Sequence, residues 1–424
     1  MDNVKDILIL ILCLGIINAI INKLSYKSVL SASLAFWLGW FFLMLGSLSF
    51  MKNDLMDSFS SLELDTFYTF FVWCFWGFLL GSLINFGSKK RVKSVHKLLL
   101  LSNYITENYF RKFLKIILVI GIVFFLLRVA EVGLTVSFFS DVRNLYIQRN
   151  FSFLQWLGTH CTVIVYFMLI LLGVRDAHNE LNIKFLLRAI LFASPLFLAN
   201  GTRTFLIAPI LNYLASYLLT RSTLRKRFFS RIELYRISSL LGLSLLIFTV
   251  IGFSRGGYGD SFNFYLPIVG WPVSTAQEFS YWLNAAINSG PTNGYLTSGW
   301  FASTLQRLHL ASFGNEEILV SNVISDFRDN NLSAAYVPRS IIPDLIFDFG
   351  YKRLAISSFI LALFMQVGVN LLRSKSMISH TISVVFLVGA FMTIQKSIFS
   401  PGSVVLIFWS IVATYYVQIK MTAK

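Results

Sequence analysis

Apolar residues in this chain come in long runs, separated by short polar connections, with little of the regular alternation that marks half-buried strands. The runs stand near 7–22, 28–50, 66–86, 113–130, 153–174, 184–200, 204–220, 237–254, 354–372, 381–395 and 401–419. A helix needs about 20 mostly apolar residues to cross a bilayer, so the pattern predicts an all-α polytopic membrane protein with about 11 transmembrane helices. The runs 184–200 and 204–220 read as a tight helical hairpin around Asn200-Gly201-Thr202-Arg203. No small-residue cleavage site follows Leu14 to Ile21, which argues against a removable signal peptide.

The connections are very unequal. Most are short, whereas one polar stretch runs from Arg255 to Lys352. This divides one integral membrane domain into transmembrane helices over 1–254, a large loop over 255–352 and further helices over 353–424. The loop holds Pro267, Pro272, Pro291, Pro338 and Pro343, five of the eight prolines. Within it, Thr275-Ala-Gln-Glu278 has capping-box spacing, and Phe279, Trp282, Leu283, Ala286 and Ile287 follow at helical spacing up to Gly290-Pro291. A second short amphipathic helix is predicted from Trp300 to Phe313, with Phe301, Leu305 and Leu308 on one face. Such helices serve as packing elements, as a lid, or as a platform at the lipid surface.

Composition agrees with a membrane protein: 56% of the 424 residues are hydrophobic and only 13% are charged, where soluble domains carry about a quarter. The net charge of +16 first suggests a nucleic-acid partner, but its distribution argues against one. Lys89, Lys90, Arg91, Lys93 and Lys97 form one cluster; Arg221, Arg225, Lys226, Arg227, Arg231 and Arg236 form another. Cytoplasmic loops attract such excess, and the same orientation puts Lys23/Lys27, Arg175/Lys184 and Arg373/Lys375 inside. The acidic connection with Asp54, Asp57, Glu63 and Asp65 then falls outside, as does the long loop, with the N-terminus external and the C-terminus internal. Cys13, Cys74 and Cys161 lie scattered in apolar runs, which suggests neither a disulfide framework nor a metal cluster. No HExxH, GxSxG, Walker or Cys/His metal spacing is present, so no cofactor or metal is expected.

External basic residues go against the positive-inside tendency and are therefore informative. On this orientation they are Arg128, Arg143, Arg149, Arg203, Arg255, Arg307, Arg328, Arg339 and Arg353. From Arg255 to Tyr351 there are four arginines and no lysine. Lysine would serve solubility equally well, whereas arginine offers a planar, permanently charged fork that grips phosphate through two hydrogen bonds. Arg203 lies in a tight turn at a helix start close to membrane depth, where a charge marks a functional pathway and the helix N-terminus favours an anion. Arg255 stands in Phe253-Ser-Arg-Gly-Gly-Tyr258-Gly-Asp260, whose glycines let backbone approach a ligand or simply cap the helix. Arg339 opens Tyr336-Val-Pro-Arg-Ser-Ile-Ile-Pro-Asp344-Leu-Ile-Phe-Asp348-Phe-Gly350, with two carboxylates one helical turn apart; pairing with Asp344 is the plainer role for it. Arg307, Arg328 and Glu278 are weaker candidates, and Tyr258 and Tyr336 join the arginines as candidate substrate contacts. His309, the one histidine of the loop, and Asp326 are the rival candidates for a general base.

The overall plan, with Asn200-Gly-Thr-Arg-Thr-Phe-Leu206, Phe253-Ser-Arg255 and Pro338-Arg339 leading to Asp348-Phe-Gly350, resembles the Wzy-type oligosaccharide repeat-unit polymerases of O-antigen, lipopolysaccharide and capsule. Arg339 and Gly350 also match an arginine-to-glycine spacing of periplasmic loops in that family, without a second copy elsewhere in the chain. The resemblance implies a metal-independent membrane glycosyltransferase in the bacterial cytoplasmic membrane, active on its outer face. A glycan on undecaprenyl pyrophosphate would be transferred to a hydroxyl of a new lipid-linked repeat unit. Arg203, Arg255 and Arg339 would hold the leaving pyrophosphate, while His309 or Asp326 would take the proton. The implied partners are the lipid-linked oligosaccharide, membrane lipid and a chain-length regulator protein. An O-antigen ligase and a non-enzymatic lipid-linked oligosaccharide flippase are the alternatives.

Overall fold

In the computed structural model, the described residues are 2–26, 28, 30–52, 58–84, 102–103, 109–134, 138, 142, 153–178, 183–199, 204–224, 231, 233–235, 237–239, 242, 275–276, 278–289, 291–292, 296, 340–372, 376–393, 406–408, 410–412 and 415. Every regular element among them is helical. Among the described residues, six helices are long and apolar enough to cross a membrane: Asn3–Tyr26, Ala32–Lys52, Ser61–Leu83, Phe110–Val132, His160–His178 and Tyr351–Asn370. Phe185–Ala199 and Met377–Met392 are shorter apolar helices. Large apolar side chains such as Ile9, Ile16, Ile20 and Leu24 recur on an exposed face of the first helix. A soluble chain would bury that stripe, whereas lipid accepts it.

The chain divides into two compact units. The first comprises Met1–Ser88, Val269–Leu371 and Val385–Val404. Its helices are α1 (Asp2–Tyr26), α2 (Ala32–Lys52) and α3 (Ser61–Leu83), joined later in the chain by α8 (Phe279–Ser289), α9 (Ile341–Phe349) and α10 (Leu354–Leu372). Ser60 and Glu63 cap α3 reciprocally, the Ser60 backbone N–H donating to Glu63 at 2.6 Å. The capping box expected at Thr275 and Glu278 does not form: α8 begins at Phe279, and the Thr275 hydroxyl is buried without a hydrogen-bond partner. Trp282 N–H donates instead to the Glu278 carbonyl. Phe279, Trp282, Leu283 and Ala286 of the predicted face are buried, whereas Ile287, placed with them by its spacing, is exposed.

Helices α3 and α10 run parallel and in step. Thr66 meets Tyr351, Cys74 Sγ–H points to the Ser358 carbonyl, and the Asn370 amide reaches the Gly81 carbonyl, at sequence separations of 285, 284 and 289. The motif Gly77-Phe-Leu-Leu-Gly81 makes this possible. A Cβ on Gly77 would overlap the Phe359 carbonyl, and one on Gly81 would stand 2.8 Å from Gln366 Cβ. Lipid provides no hydrophobic drive for helix association, so small residues that admit close packing take its place. At the C-terminal ends of α1 and α10, Gln366 donates to Asn22 at 2.9 Å and accepts from Ser33 N–H at the start of α2, at 3.1 Å. Tyr26 also donates to the Ile84 carbonyl, just past α3. Thus α1, α3 and α10 share one direction and α2 runs opposite, in agreement with the alternation read from charge. An aromatic cluster of Phe36, Trp37, Trp40, Phe67, Phe70, Phe71 and Phe78 joins α2 to α3; each such pair is worth about 0.5–1.5 kcal/mol.

The second unit comprises Lys89–Ile268, Leu372–Val384 and Val405–Lys424. It contains α4 (Phe110–Val132), α5 (Phe153–His178), α6 (Ile183–Ala199) and α7 (Thr204–Thr223). Helices α4 and α6 are parallel: Phe110 packs on Phe185 at 4.8 Å, and further along Gly121 abuts Leu196. Helices α5 and α6 form an antiparallel hairpin, with the Arg175 guanidinium over Phe185 at 4.8 Å and Tyr166 beside Phe197 at 6.4 Å. Pro195 lies inside α6 and Pro209 inside α7. A last helix, α11 (Met377–Met392), has residues 377–384 in the second unit and 385–392 in the first.

Candidate functional site

The end of the long polar stretch builds the strongest candidate. Ser340 caps α9, its hydroxyl accepting from Ile342 N–H at 3.4 Å, and Ile341 N–H donates to the Thr393 carbonyl at 2.9 Å. The Thr393 hydroxyl in turn accepts from Trp40 Nε1 at 3.2 Å. Trp40 stands 12 residues before Lys52, the last residue of α2 (52 − 40 = 12), which is about 18 Å along the helix axis. The other end of α9 leads through Gly350 to Tyr351, whose hydroxyl lies 3.3 Å from Thr66 in the second turn of α3. Helix α9 therefore begins level with the middle of α2 and runs toward the level of the α3 start as a half-length helix. All residues from Ile341 to Asp348 are buried, which is the condition under which a broken helix is tolerated at membrane depth. Gly350 ends it with φ 82°, a backbone conformation that favours glycine, and its N–H returns to the Ile346 carbonyl.

Two carboxylates ride on this half-helix, one turn apart, as the sequence suggests, and both are buried. Asp344 occupies the first turn, where the helix dipole favours a negative charge. Asp348 sits near the C-terminus, where the dipole opposes it, and hydrogen bonds offset that. Its Oδ1 accepts from the Thr292 hydroxyl and from Leu296 N–H at 2.9 Å. Thr292 N–H also donates to the Phe347 carbonyl at 2.6 Å. Asp348 thereby ties the chain that follows α8 to the end of α9. Helix α8 covers α9 and reaches α3 through a Phe67–Phe279 stack at 4.4 Å. At its N-terminal end, partial burial raises the Glu278 carboxyl above the ordinary glutamate range, because the charged form loses water.

Arg203, Arg255, Tyr258, Arg307, His309, Asp326, Arg328, Tyr336 and Arg339 lie outside the described residues, as does the predicted helix Trp300–Phe313. Of the other arginines expected outside, Arg128 is buried near the end of α4, paired with Glu131 and set over the Phe124 ring at 5.3 Å. Among the described residues no group of three or more His, Cys, Asp or Glu side chains could hold a metal ion.

Sequence reasoning missed a second buried polar array, in the second unit. The Asp176 carboxylate accepts from Arg175 at 2.9 Å and from the Tyr213 hydroxyl at 2.9 Å. One turn along α7, the Glu233 carboxylate accepts from Arg221 at 2.7 Å and from the Tyr217 hydroxyl at 2.9 Å. Ser216, between the tyrosines, donates to the Ile170 carbonyl at 2.7 Å and lies 2.8 Å from His380 Nε2. The signals were present: Arg175-Asp176 at the end of an apolar run, and Tyr213 and Tyr217 at i, i+4 spacing. No protein-family model matches this chain, and neither a curated protein nor a solved structure matches it.

Proposed function

We propose that this chain polymerises lipid-linked oligosaccharide repeat units at the outer face of a bacterial cytoplasmic membrane, with about 11 spans. In the proposed step, a hydroxyl oxygen of the incoming repeat unit attacks the anomeric carbon of the growing glycan. The bond from that carbon to the pyrophosphate oxygen breaks, and the pyrophosphate leaves on its lipid carrier. The hydroxyl proton passes to His309 or Asp326, while Arg203, Arg255 and Arg339 neutralise the departing charge. Arg307, Arg328, Tyr258 and Tyr336 contact the glycan or its phosphates.

The half-helix α9 is the observation that carries this reading. It begins level with the middle of the apolar helix α2, and Arg339 stands next to its cap Ser340 in the sequence. An arginine tethered there would be well placed for a phosphate whose lipid tail stays in the bilayer. The absence of lysine from Arg255 to Tyr351 supports bidentate recognition over general charge balance.

The test uses Arg203→Lys and Arg339→Lys, which keep charge but lose the planar fork. Each is expected to abolish the ladder of glycan lengths while protein abundance stays normal. A normal ladder from both variants would sink the pyrophosphate clamp. The same half-helix also favours a second reading, since transporters of anionic substrates aim broken helices at their cargo. A deletion strain separates the readings. Single repeat units at the cell surface support a polymerase, full-length polymer stranded on its carrier supports a ligase, and repeat units trapped inside support a transporter.

A further inference from the structure

Asn18 Oδ1 on α1, Trp37 Nε1 on α2, Ser82 Oγ on α3 and Asn370 Oδ1 on α10 are all buried in the first unit without a hydrogen-bond partner. Asn18 and Ser82 are 0% exposed, and Trp37 and Asn370 are 3% exposed, so bulk solvent does not satisfy them. They surround one junction, where Gln366 donates to Asn22 and accepts from Ser33 N–H. Asn18 precedes Asn22 by one turn of α1, and Trp37 follows Ser33 by one turn of α2. Since α1 and α2 run in opposite directions, Asn18 and Trp37 share the next level. A Cβ on Gly15 would stand 3.5 Å from Trp37 Cδ1, the atom bonded to Nε1, and the Asn18 amide donates to the Leu14 carbonyl at 3.2 Å. Both orphaned groups therefore border the Leu14–Gly15 turn of α1. On the other side of the junction, the Asn370 amide reaches the Gly81 carbonyl at 3.5 Å, next to Ser82.

A polar group buried away from solvent is costly unless a hydrogen bond satisfies it. The chemistry of these four groups restricts what can do so. Trp37 only donates, which disfavours a cation, and carboxamide oxygens only accept, which disfavours an anion. None of the four carries a charge. What remains is a small neutral molecule that donates and accepts at once, and water is the one that closely packed helices admit. We propose that the first unit binds water at two places. One water accepts from Trp37 Nε1–H and donates to Asn18 Oδ1, and the other bridges Ser82 Oγ to Asn370 Oδ1. The Asn22–Gln366 pair joins them into one polar file along the ends of α1, α3 and α10. The file stops one turn beyond Trp37, where Trp40 N–H is committed to the Thr393 hydroxyl. It hydrates the core of the unit up to the level at which α9 begins, and it is independent of the glycan-transfer reading.

The test is hydroxyl-radical footprinting of the purified full chain in nanodiscs. A short X-ray pulse forms radicals from bound water, and mass spectrometry reads the modified side chains. Trp37 is expected to be oxidised about tenfold faster than Trp40, a similarly buried indole whose N–H is taken by Thr393. Equal rates at the two, fast or slow, would overturn the first water. Phe78, one turn before Ser82, is expected to be oxidised about threefold faster than Phe70, which is equally buried on the same helix. Asn18→Leu is expected to bring Trp37 down to the rate of Trp40 while the protein still elutes as one peak. Asn370→Leu is expected to slow Phe78 and leave Trp37 fast. Persistence of either label in its variant would refute that water. If a variant loses the elution peak, the comparisons within the unaltered chain decide, since they need no substitution.

Discussion

In the first unit α3 and α10 lie in step with only Gly77, Gly81, Ala362 and their neighbours between the backbones. In the second, a polar ladder takes over: Asp176 of α5, paired with Arg175, accepts from Tyr213 of α7, Gly173 admits the Ser216 turn, and Arg221 and Tyr217 of α7 hold Glu233 beyond the helix end. Both solve the problem of holding helices together where burial of apolar surface supplies little. The first does so by van der Waals fit, which is intolerant of added volume but indifferent to charge. The second does so by satisfying buried ions, which tolerates shape changes but not the loss of one partner. The difference teaches where each unit is vulnerable.

Added volume should break the first interface most severely. Gly77→Leu drives a side chain into the Phe359 backbone and is expected to destabilise by about 5 kcal/mol or more. The readout is loss of the monodisperse peak in fluorescence-detected size exclusion. A normal peak would show that α3 and α10 can part without harm. In the second unit, Arg175→Ala removes the cation paired with the buried Asp176 carboxylate and is expected to destabilise by about 3–5 kcal/mol. Combining it with Asp176→Asn should restore much of that loss in thermal unfolding. If the double variant is no better than the single, the ladder is not held by its charge balance.

Smaller effects sharpen the contrast at α9, which mixes both strategies. Thr292→Val removes the hydroxyl hydrogen bond to Asp348 and is expected to lower stability by about 1–2 kcal/mol. If α9 serves glycan transfer, the ladder of lengths should shorten in this variant as well, and an unchanged ladder would restrict Asp348 to scaffolding. The mildest effect concerns Glu278, whose carboxyl is raised by burial. A raised acid binds more protons folded than unfolded, so its effect on stability turns unfavourable as pH rises from the ordinary glutamate value through the raised one. Glu278→Gln is therefore expected to flatten a slight fall in Tm across that mildly acidic window. A wild-type Tm that instead rises there, by an amount the substitution removes, would reverse the assigned sign.

Much of the fold is legible in the sequence because lipid imposes a simple rule on each segment separately. A run such as 113–130 declares itself a helix by length and apolarity, and the structure has Phe110–Val132 there. The amphipathic face of α8 was equally readable from the spacing of Phe279, Trp282, Leu283 and Ala286. Its start was not, because Thr275 offers the right spacing while its hydroxyl forms no hydrogen bond. The carboxylate pair on α9 was visible as Asp344 and Asp348. Its depth was not, since that rests on Thr393 and Trp40, distant in the chain.

By itself the sequence determined that the chain is helical and suited to a membrane, which segments are apolar and where basic clusters fall. These are local properties, set by composition over about 20 residues. Only the tertiary structure decided that Gly77 and Gly81 face Phe359 and Gln366, that Asp176 meets Tyr213, and that α9 starts level with the middle of α2. Those outcomes depend on which helix each side chain meets, and periodicity within one helix carries no record of its neighbour.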